Sequence, residues 1–368
     1  MIDKLSWIAI YPEIFLAVMA CVILLADLFV KSPGRVPTYL LTQLTLLALV
    51  VIQALYALNG FTVYAFSDTV VSDTMGNWLK CFAALATFVT LVYARPYSEQ
   101  RGMFLRGGEL YPLVLFSLLG IFVLISANHF LLIYLGLELL TLPSYAMVAL
   151  RRDNSEASES AMKYFVLGSL SSGFLLYGMS MLYGATGSLL LPEVQHVIAS
   201  GMAKTEILVF GVVFIVSGLA FKLGAVPFHM WMPDVYQGAP TSITLVIAAA
   251  PKLAAFAMAI RLLVEGMLPM AVEWQQMLII LAVLSLLVGN LAAIMQQNIK
   301  RMLAFSTIAQ IGFVLLALAA GYTNNSYSNV VDAYSAGMFY VVTYVLTTLV
   351  NFGVILLLAR DGFECDNI

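Results

Sequence analysis

Residues 208–240 read LVFGVVFIVSGLAFKLGAVPFHMWMPDVYQGAP, an apolar run that ends in a polar motif. Lys222 lies inside the apolar part, and Pro227, His229 and Asp234 follow it. A charged side chain at the centre of a bilayer costs about 2.5–3.5 kcal/mol on insertion scales. The stretch therefore predicts a membrane-spanning helix that retains a costly charge.

The composition of the whole chain is typical of a membrane protein. Of its 368 residues, 62% are hydrophobic and 10% are charged, whereas soluble domains are about 25% charged. A helix needs about 20 apolar residues to cross a bilayer. Long runs of Leu, Ala and Phe without two-residue alternation exclude a membrane β-barrel and predict an all-α, polytopic transmembrane helical bundle. The predicted spans number eleven and cover residues 10–30, 38–58, 77–95, 110–126, 129–150, 161–184, 206–226, 241–264, 274–296, 301–320 and 332–359.

Lysine and arginine are shared unevenly between the connections that join these spans. The positive-inside rule places the connections with more basic residues in the cytoplasm. It therefore predicts cytoplasmic odd-numbered connections and an amino terminus outside. The odd-numbered connections and their flanks hold Lys31, Arg35, Arg95, Arg101, Arg106, Arg151, Arg152, Lys163, Lys300, Arg301 and Arg360, whereas the amino terminus and the even-numbered connections hold Lys4, Lys80, Lys204 and Arg261.

The cysteines and histidines form no metal or disulfide pattern. They are far apart in the sequence and do not cluster with one another. We therefore predict no metal ion, haem, iron–sulfur cluster or nucleotide-binding loop in this chain. The residues concerned are Cys21, Cys81, Cys365, His129, His196 and His229.

Three ionisable residues are hard to assign to the ends of spans, namely Glu138, Lys222 and Lys252. Lys222 lies close enough to Pro227 to extend toward the membrane surface, but Lys252 is central in its span. Ionisable residues inside the membrane most often carry protons or ions. The alternative is a buried ion pair that fixes the packing of helices, although such pairs are weak stabilisers.

Two prolines accompany the two lysines. A proline removes one amide donor and its ring collides with the carbonyl four residues earlier. Pro227 should therefore free the carbonyl of Leu223, beside Lys222, and Pro251 should interrupt the helix beside Lys252. Irregular backbone at membrane depth is tolerated where it lines a hydrated cavity, so both lysines are predicted at helix breaks that face water inside the protein.

Burial destabilises an ammonium group, and a nearby carboxylate stabilises it again. If Glu138 approaches Lys222, the lysine should hold its proton, and if the carboxylate moves away, the proton can pass toward Lys252. The sequence thus suggests a proton relay, without showing that the three residues meet.

Four segments closely resemble the antiporter-like subunits of proton-pumping NADH:quinone oxidoreductase, respiratory complex I. The resemblance covers essentially the whole chain and is greatest to the branch that contains bacterial subunit N and mitochondrial subunit 2. The segments are FKLGAVPFHMWMPDVYQGAP (221–240), LGLELLTLPSYAMVA (135–149), EASESAMKYFVLGSLSSGFLLYGM (156–179) and NIKRMLAFSTIAQIGF (298–313).

The resemblance implies roles for specific residues. Glu138 matches the family's fifth-helix glutamate, Lys222 the lysine of its broken seventh helix, and Lys252 the lysine of its eighth helix. His229 lies in the seventh-helix motif and is a weaker candidate for an entry path. The implied organisation is an N-terminal three-helix segment (1–109), a first five-helix repeat with a broken seventh span (110–264) and an incomplete second repeat (265–368).

The resemblance also implies a setting. The chain would conduct protons in the bacterial inner (plasma) membrane as part of a translocase, beside other membrane-arm subunits of complex I, including neighbouring antiporter-like subunits. FMN, iron–sulfur clusters and quinone would belong to partner subunits, and no nucleic acid is involved. The alternative is a subunit of a multisubunit cation/proton antiporter, which shares the architecture.

Two features depart from the family pattern. The sequence ends at Ile368, after the eleventh span, whereas the family has fourteen helices, so we expect a fragment or an incomplete second half-channel. Gln310 stands where some relatives place a histidine, and a glutamine can order water but cannot carry the proton itself. Lys300 and Arg301 are interpreted as topogenic or loop-anchoring charges.

Overall fold

The structure is a computed structural model that describes residues 4–32, 34–104, 107–322 and 330–359. Arg106, Arg360 and Cys365, named above, lie outside the described residues. The helices are α1 (Lys4–Ala9), α2 (Tyr11–Asp27), α3 (Val36–Asn59), α4 (Thr74–Gln100), α5 (Leu110–Ser126), α6 (Phe130–Val148), α7 (Ser155–Thr186), α8 (Leu191–Ala199), α9 (Thr205–Leu223), α10 (Trp231–Gly238), α11 (Thr241–Ala248), α12 (Ala250–Ala259), α13 (Ala271–Ile294), α14 (Ile299–Ala320) and α15 (Val330–Leu358). A π-helix (Ile260–Gly266) and a 3₁₀ turn (Leu268–Met270) follow α12, and β1 (Val63–Ala65) pairs with β2 (Val70–Ser72).

The helices confirm the predicted all-α membrane bundle. Within the described residues, nine helical segments are long and apolar enough to cross a bilayer. Helices α2 and α5 occupy the first and fourth predicted spans with 17 residues each, which at 1.5 Å per residue reach about 26 Å. Because this length is at the low end for a span, the predicted number of eleven is approximate.

The even-numbered connections gather at one end of the bundle, which we call the hairpin end. There the β1–β2 hairpin pairs Val63 with Ser72 in antiparallel register. An isolated bridge joins Val70 to Ala127, and a second joins His129 to Leu190. The second, fourth and sixth predicted connections therefore meet at this end.

The odd-numbered connections gather at the opposite end. Asp27, at the end of α2, accepts hydrogen bonds from Thr38 at 2.7 Å and from the Gly108 amide at 2.8 Å. Asp234 accepts from Lys163 at 2.8 Å and from Arg301 at 2.7 Å, which ties α10 to α7 and α14. The segment that follows the seventh span is thus fixed to two other helices.

The seventh span ends earlier than the sequence suggested. Helix α9 ends at Leu223 and not at residue 226, because Gly224 adopts a left-handed conformation with φ +87°. A Cβ atom at this position would lie 2.0 Å from Cε of Met232, so glycine is required both for the backbone and for the space. The chain then turns through residues 225–230 before α10 begins.

The eighth span is interrupted, as predicted from Pro251. Helix α11 ends at Ala248 and α12 begins at Ala250, with Ala249 at φ −96° and ψ −93° between them. Pro251 lies in the first turn of α12, a position where its missing amide leaves no hydrogen bond unmade. This span is the most buried of the nine segments, and it places Lys252 at the start of α12, in the centre of the bundle.

Candidate functional site

Lys222 and Lys252 lie at the wall of one internal cavity. The cavity has a volume of about 30 Å³, and because one water occupies about 10–15 Å³ on this measure, it has room for about two. Three hydroxyl groups, those of Thr141, Ser144 and Tyr164, share its wall with the two lysines. The rest of the wall is apolar and consists of Leu124, Leu137, Leu140, Trp231, Ile247, Pro251, Ala255 and Met258.

Lys252 donates to the carbonyl group of the last residue of α9, which is free because the helix ends there. Its Nζ donates a hydrogen bond to the Leu223 carbonyl oxygen at 2.8 Å, and the side chain is buried. The sequence had predicted that Pro227 would free this carbonyl, and the structure supplies its donor from the break in the eighth span. The two helix interruptions therefore meet at one hydrogen bond.

Lys222 is held more loosely than Lys252. Its Nζ lies 3.4 Å from the Ser172 Oγ of α7, a long hydrogen bond, and 5.7 Å from the centre of the Phe221 ring. The residue is half-buried. Each ammonium group has one hydrogen bond and one aromatic ring nearby, but the hydrogen bond of Lys222 is longer than that of Lys252, so Lys222 is fixed less firmly.

Aromatic rings separate the cavity from the rest of the bundle. Trp231, the first residue of α10, stacks on Tyr164 with ring centres 4.7 Å apart, and its Nε1 donates to the Phe221 carbonyl at 3.0 Å. The Lys252 Nζ lies 5.7 Å from the centre of the Trp231 ring, within the range of a cation–π interaction. The tryptophan therefore stabilises a buried ammonium group without supplying a counter-charge.

Glu138 does not line this cavity. No ion pair within 4.0 Å joins it to either lysine in the described part of the chain. It is half-buried on α6, along the stripe that carries the exposed Leu135 and Leu142. The three predicted residues are thus divided into a central pair of lysines and a carboxylate near the outer face of α6.

His229 lies in the turn between α9 and α10 and is also absent from the cavity wall. Its ring centre is 6.4 Å from that of Phe305 in α14. Its Nδ1 is buried and has no hydrogen-bond partner among the described residues. Burial lowers the pKa of His229, against a smaller opposite effect of a hydrogen bond at Pro227, so the imidazole is neutral at neutral pH.

Lys300 and Arg301 anchor the turn that follows α10. The Lys300 Nζ donates to the Ala239 carbonyl at 3.3 Å, and the side chain is buried. Arg301 bonds to Asp234 and to the Gln237 side-chain oxygen. These contacts agree with a loop-anchoring interpretation of both residues.

A buried ion pair at the hairpin end was missed by the sequence analysis. Lys80, which had been assigned to an exterior connection, lies inside α4 with 1% of its side chain exposed, and its Nζ is 2.5 Å from Glu13 Oε1. Arg261, assigned in the same way, is buried and pairs with Asp73 at 2.8 Å and with Glu265 at 2.5 Å. The sequence did offer one signal. Glu13 and Lys80 carry opposite charges, and each lies a few residues inside its predicted span, at the same predicted side of the membrane.

Neither metal ligation nor a disulfide is evident in the described residues. No group of three or more His, Cys, Asp or Glu side chains there is placed to hold a metal ion. Cys21 is exposed and Cys81 is buried, and both are free thiols. The chemistry available at the central site is therefore that of two amines, three hydroxyl groups and water.

The fold and the central lysines can now be compared with known proteins. The family described as NADH:quinone oxidoreductase/Mrp antiporter, TM matches residues 127–368. NADH-quinone oxidoreductase subunit N from Polaromonas naphthalenivorans (strain CJ2) is 65% identical over 368 residues, which is all of this chain and 73% of that protein.

Solved structures agree with this match. A chain of respiratory complex I from Thermus thermophilus superposes with a TM-score of 0.75 at 33% identity, covering 97% of this chain and 72% of that one. A chain of the Mrp complex from Dietzia sp. DQ12-45-1b has a TM-score of 0.78 at 18% identity, covering 96% and 64%. This second likeness shows a shared fold alone.

The class is therefore that of antiporter-like membrane proteins, and the chain belongs to the NADH:quinone oxidoreductase/Mrp antiporter family. Within it, the chain is similar over its whole length to subunit N of NADH-quinone oxidoreductase. The chain is a multi-pass helical membrane protein, and the proteins that it matches are named as NADH-quinone oxidoreductase subunit N and as respiratory complex I. The family prediction made from the sequence motifs is confirmed.

Proposed function

We propose that this chain conducts protons across the bacterial inner membrane through Glu138, Lys222 and Lys252, driven by redox chemistry in other subunits. One observation carries the proposal, namely that two lysines from two interrupted spans line the same small cavity. Buried amines with room for water between them can exchange a proton through that water.

The contacts of each lysine support different steps. Lys252 keeps a hydrogen bond to the Leu223 carbonyl whether it is charged or neutral, because a neutral amine still has N–H donors. It can therefore release a proton into the cavity without losing its position. Lys222, with its single long hydrogen bond to Ser172, is suited to receive a proton and to reorient.

Glu138 would act as the switch at the outer side of this pair. A carboxylate that approaches an ammonium group stabilises its charged form. Because Glu138 lies along a stripe that is exposed in the single chain, a neighbouring membrane-arm subunit packed there could draw the carboxylate away or neutralise it. The proton on Lys222 would then be free to move to Lys252. His229, which is half-buried beside Phe305, would assist entry from the same end as α10.

The setting of the relay follows the family. We place the hairpin end and the amino terminus outside and the arginine-rich connections in the cytoplasm. FMN, iron–sulfur clusters and quinone would be held by partner subunits. Gln310, whose side-chain oxygen accepts a hydrogen bond from Tyr340, would order water on the way toward the second repeat. We also propose the division into residues 1–109, 110–264 and 265–368.

The test is Lys222→Met in the assembled complex, in inverted membrane vesicles supplied with NADH. We expect the complex to assemble, and both proton pumping and quinone reduction to fall at least tenfold, because the relay is interrupted. Lys204→Met is the matched control, since Lys204 is an exposed lysine in the connection before the same helix, and it should behave like the parent.

Two results would contradict the proposal. Loss of assembly in Lys222→Met, with normal pumping in whatever complex remains, would show that the lysine only holds helices together. Sodium-dependent transport by vesicles that lack the redox subunits would favour the cation/proton antiporter alternative.

A further inference from the structure

A second group of buried charges lies at the hairpin end and is not used by the relay. Glu13, in the first turn of α2, and Lys80 of α4 form an ion pair of 2.5 Å, with 10% and 1% of their side chains exposed. Ser126, at the end of α5, donates to the same carboxylate oxygen at 2.9 Å. Two helices, α4 and α5, thus direct polar groups at a buried carboxylate of a third, α2.

Half of this carboxylate is unsatisfied. Glu13 is only 8% exposed. Its Oε2 atom is buried and has no hydrogen-bond partner in the described ranges. A buried charged oxygen without a donor is costly. A water molecule or a proton would satisfy it, so the site is suited to receive one of them.

The relay cavity approaches this region from the other side of α5. Leu124 and Met258 line the cavity. The next residue of α5, Ile125, accepts a hydrogen bond through its carbonyl from Arg261 Nε at 3.2 Å, and Arg261 lies about one helical turn beyond Met258. The cavity and Arg261 therefore contact adjacent residues of α5.

Arg261 lies close to the first turn of α4, the helix that carries Lys80. A Cβ atom at Gly76 would lie 3.4 Å from Arg261 Nη2, and Lys80 is one turn further along the same face of α4. Arg261 and Glu265 both belong to the π-helix Ile260–Gly266. Short π-helical segments occur frequently at functional sites.

The charged side chains of this region carry a net negative charge. The carboxylates of Glu13, Asp73 and Glu265 outnumber the cations Lys80 and Arg261 by three to two. The local balance therefore favours uptake of a single positive charge.

We propose that Glu13 is a proton acceptor on the hairpin side of the relay, and that Lys80 controls the release of this proton. The inference rests on the proposed relay. A proton that leaves Lys252 through cavity water adds to Glu13 Oε2, which turns the carboxylate into a carboxylic acid. The Lys80 ammonium is then unpaired and buried, so loss of the proton to water at the hairpin end, which restores the ion pair, is favourable.

The test is Glu13→Gln in the intact complex, with NADH-driven quinone reduction and the number of protons pumped per NADH measured on the same vesicles. We expect a reduced number of protons per NADH, and slower quinone reduction as in Lys222→Met, because the same relay is interrupted. Asp27→Asn is the matched control, because Asp27 is a buried carboxylate at the other end of the same helix, and its proton number should be unchanged.

A second variant separates proton transfer from a structural ion pair. Glu13→Gln combined with Lys80→Met removes both charges and leaves no unpaired one, a change that buried ion pairs often tolerate. We expect this double variant to assemble with the proton number still low. Recovery of the full proton number, or failure of the double variant to assemble, would overturn the proposal in favour of a structural role.

Comparison of Lys222→Met with Glu13→Gln distinguishes the relay proposal from the proposal for Glu13. If Lys222→Met abolishes pumping while Glu13→Gln pumps fully, only the role of Glu13 is wrong. If Lys222→Met pumps normally, the relay itself is wrong, whatever Glu13→Gln shows.

Discussion

Replacement of Lys252 by methionine distinguishes the effect of its buried charge on stability from its role in proton pumping. The side chain is 2% exposed and donates to the Leu223 carbonyl. Loss of this donor leaves a buried carbonyl unsatisfied, at about 1–3 kcal/mol. Removal of the ammonium group relieves the cost of a charge at membrane depth, which is about 2.5–3.5 kcal/mol. Methionine is flexible enough to fill the remaining space.

The two effects oppose each other, so the variant should be between about 0.5 kcal/mol less stable and about 2.5 kcal/mol more stable than the parent. Water in the cavity, which has room for about two molecules, would move the result toward the stable side by reaching the freed carbonyl. We therefore expect Lys252→Met to assemble as well as the parent does. Its proton pumping should be lost, because no exchangeable proton remains at this position.

The assay combines thermal denaturation of the purified complex, native gel electrophoresis and NADH-driven proton uptake in inverted vesicles. Lys252→Arg is the charge-preserving control, since arginine keeps its proton under ordinary conditions. It should assemble and be impaired in turnover. The reasoning is refuted if Lys252→Met fails to assemble while Lys252→Arg pumps fully, because the charge and not the exchangeable proton would then be what the protein needs.

Two further predictions concern the turn between α9 and α11. Gly224→Ala forces an alanine to adopt φ +87° and places its Cβ 2.0 Å from Met232 Cε; we expect a loss of at least about 1–2 kcal/mol from the backbone alone, measured as a lower Tm of the complex, and an unchanged Tm would be inconsistent with the required left-handed turn. For Asp234, burial acts to raise the pKa, but hydrogen bonds from Lys163 and Arg301 outweigh it and hold the pKa below its usual value. A carboxyl with a lowered folded-state pKa stabilises the fold above its unfolded-state pKa of about 3.9 and loses this contribution as the pH falls through the lowered value. Hydrogen exchange in α10 should therefore accelerate over that acid range in the parent, and the acceleration should be absent in Asp234→Asn; an identical pH dependence in both would contradict the anchoring role.

The helices and their interruptions were predictable because they depend on local sequence. Apolar runs long enough to cross a bilayer have no stable alternative to a helix there, and the effects of Pro227 and Pro251 act within one turn. The seventh span is interrupted, as predicted. Its position was wrong by three residues, because the left-handed Gly224 ends the helix before the proline acts.

The sequence alone therefore determined the membrane bundle, the two broken spans and the presence of lysines beside both breaks. Only the tertiary structure decided that Lys252 donates to the Leu223 carbonyl, that Glu138 stands apart from the lysine cavity, and that Glu13 pairs with Lys80. The physical reason is the separation in sequence over which each interaction acts. Hydropathy and proline sterics act between near neighbours in the chain, whereas a hydrogen bond or an ion pair between residues far apart in sequence is fixed by how the helices pack and rotate against one another.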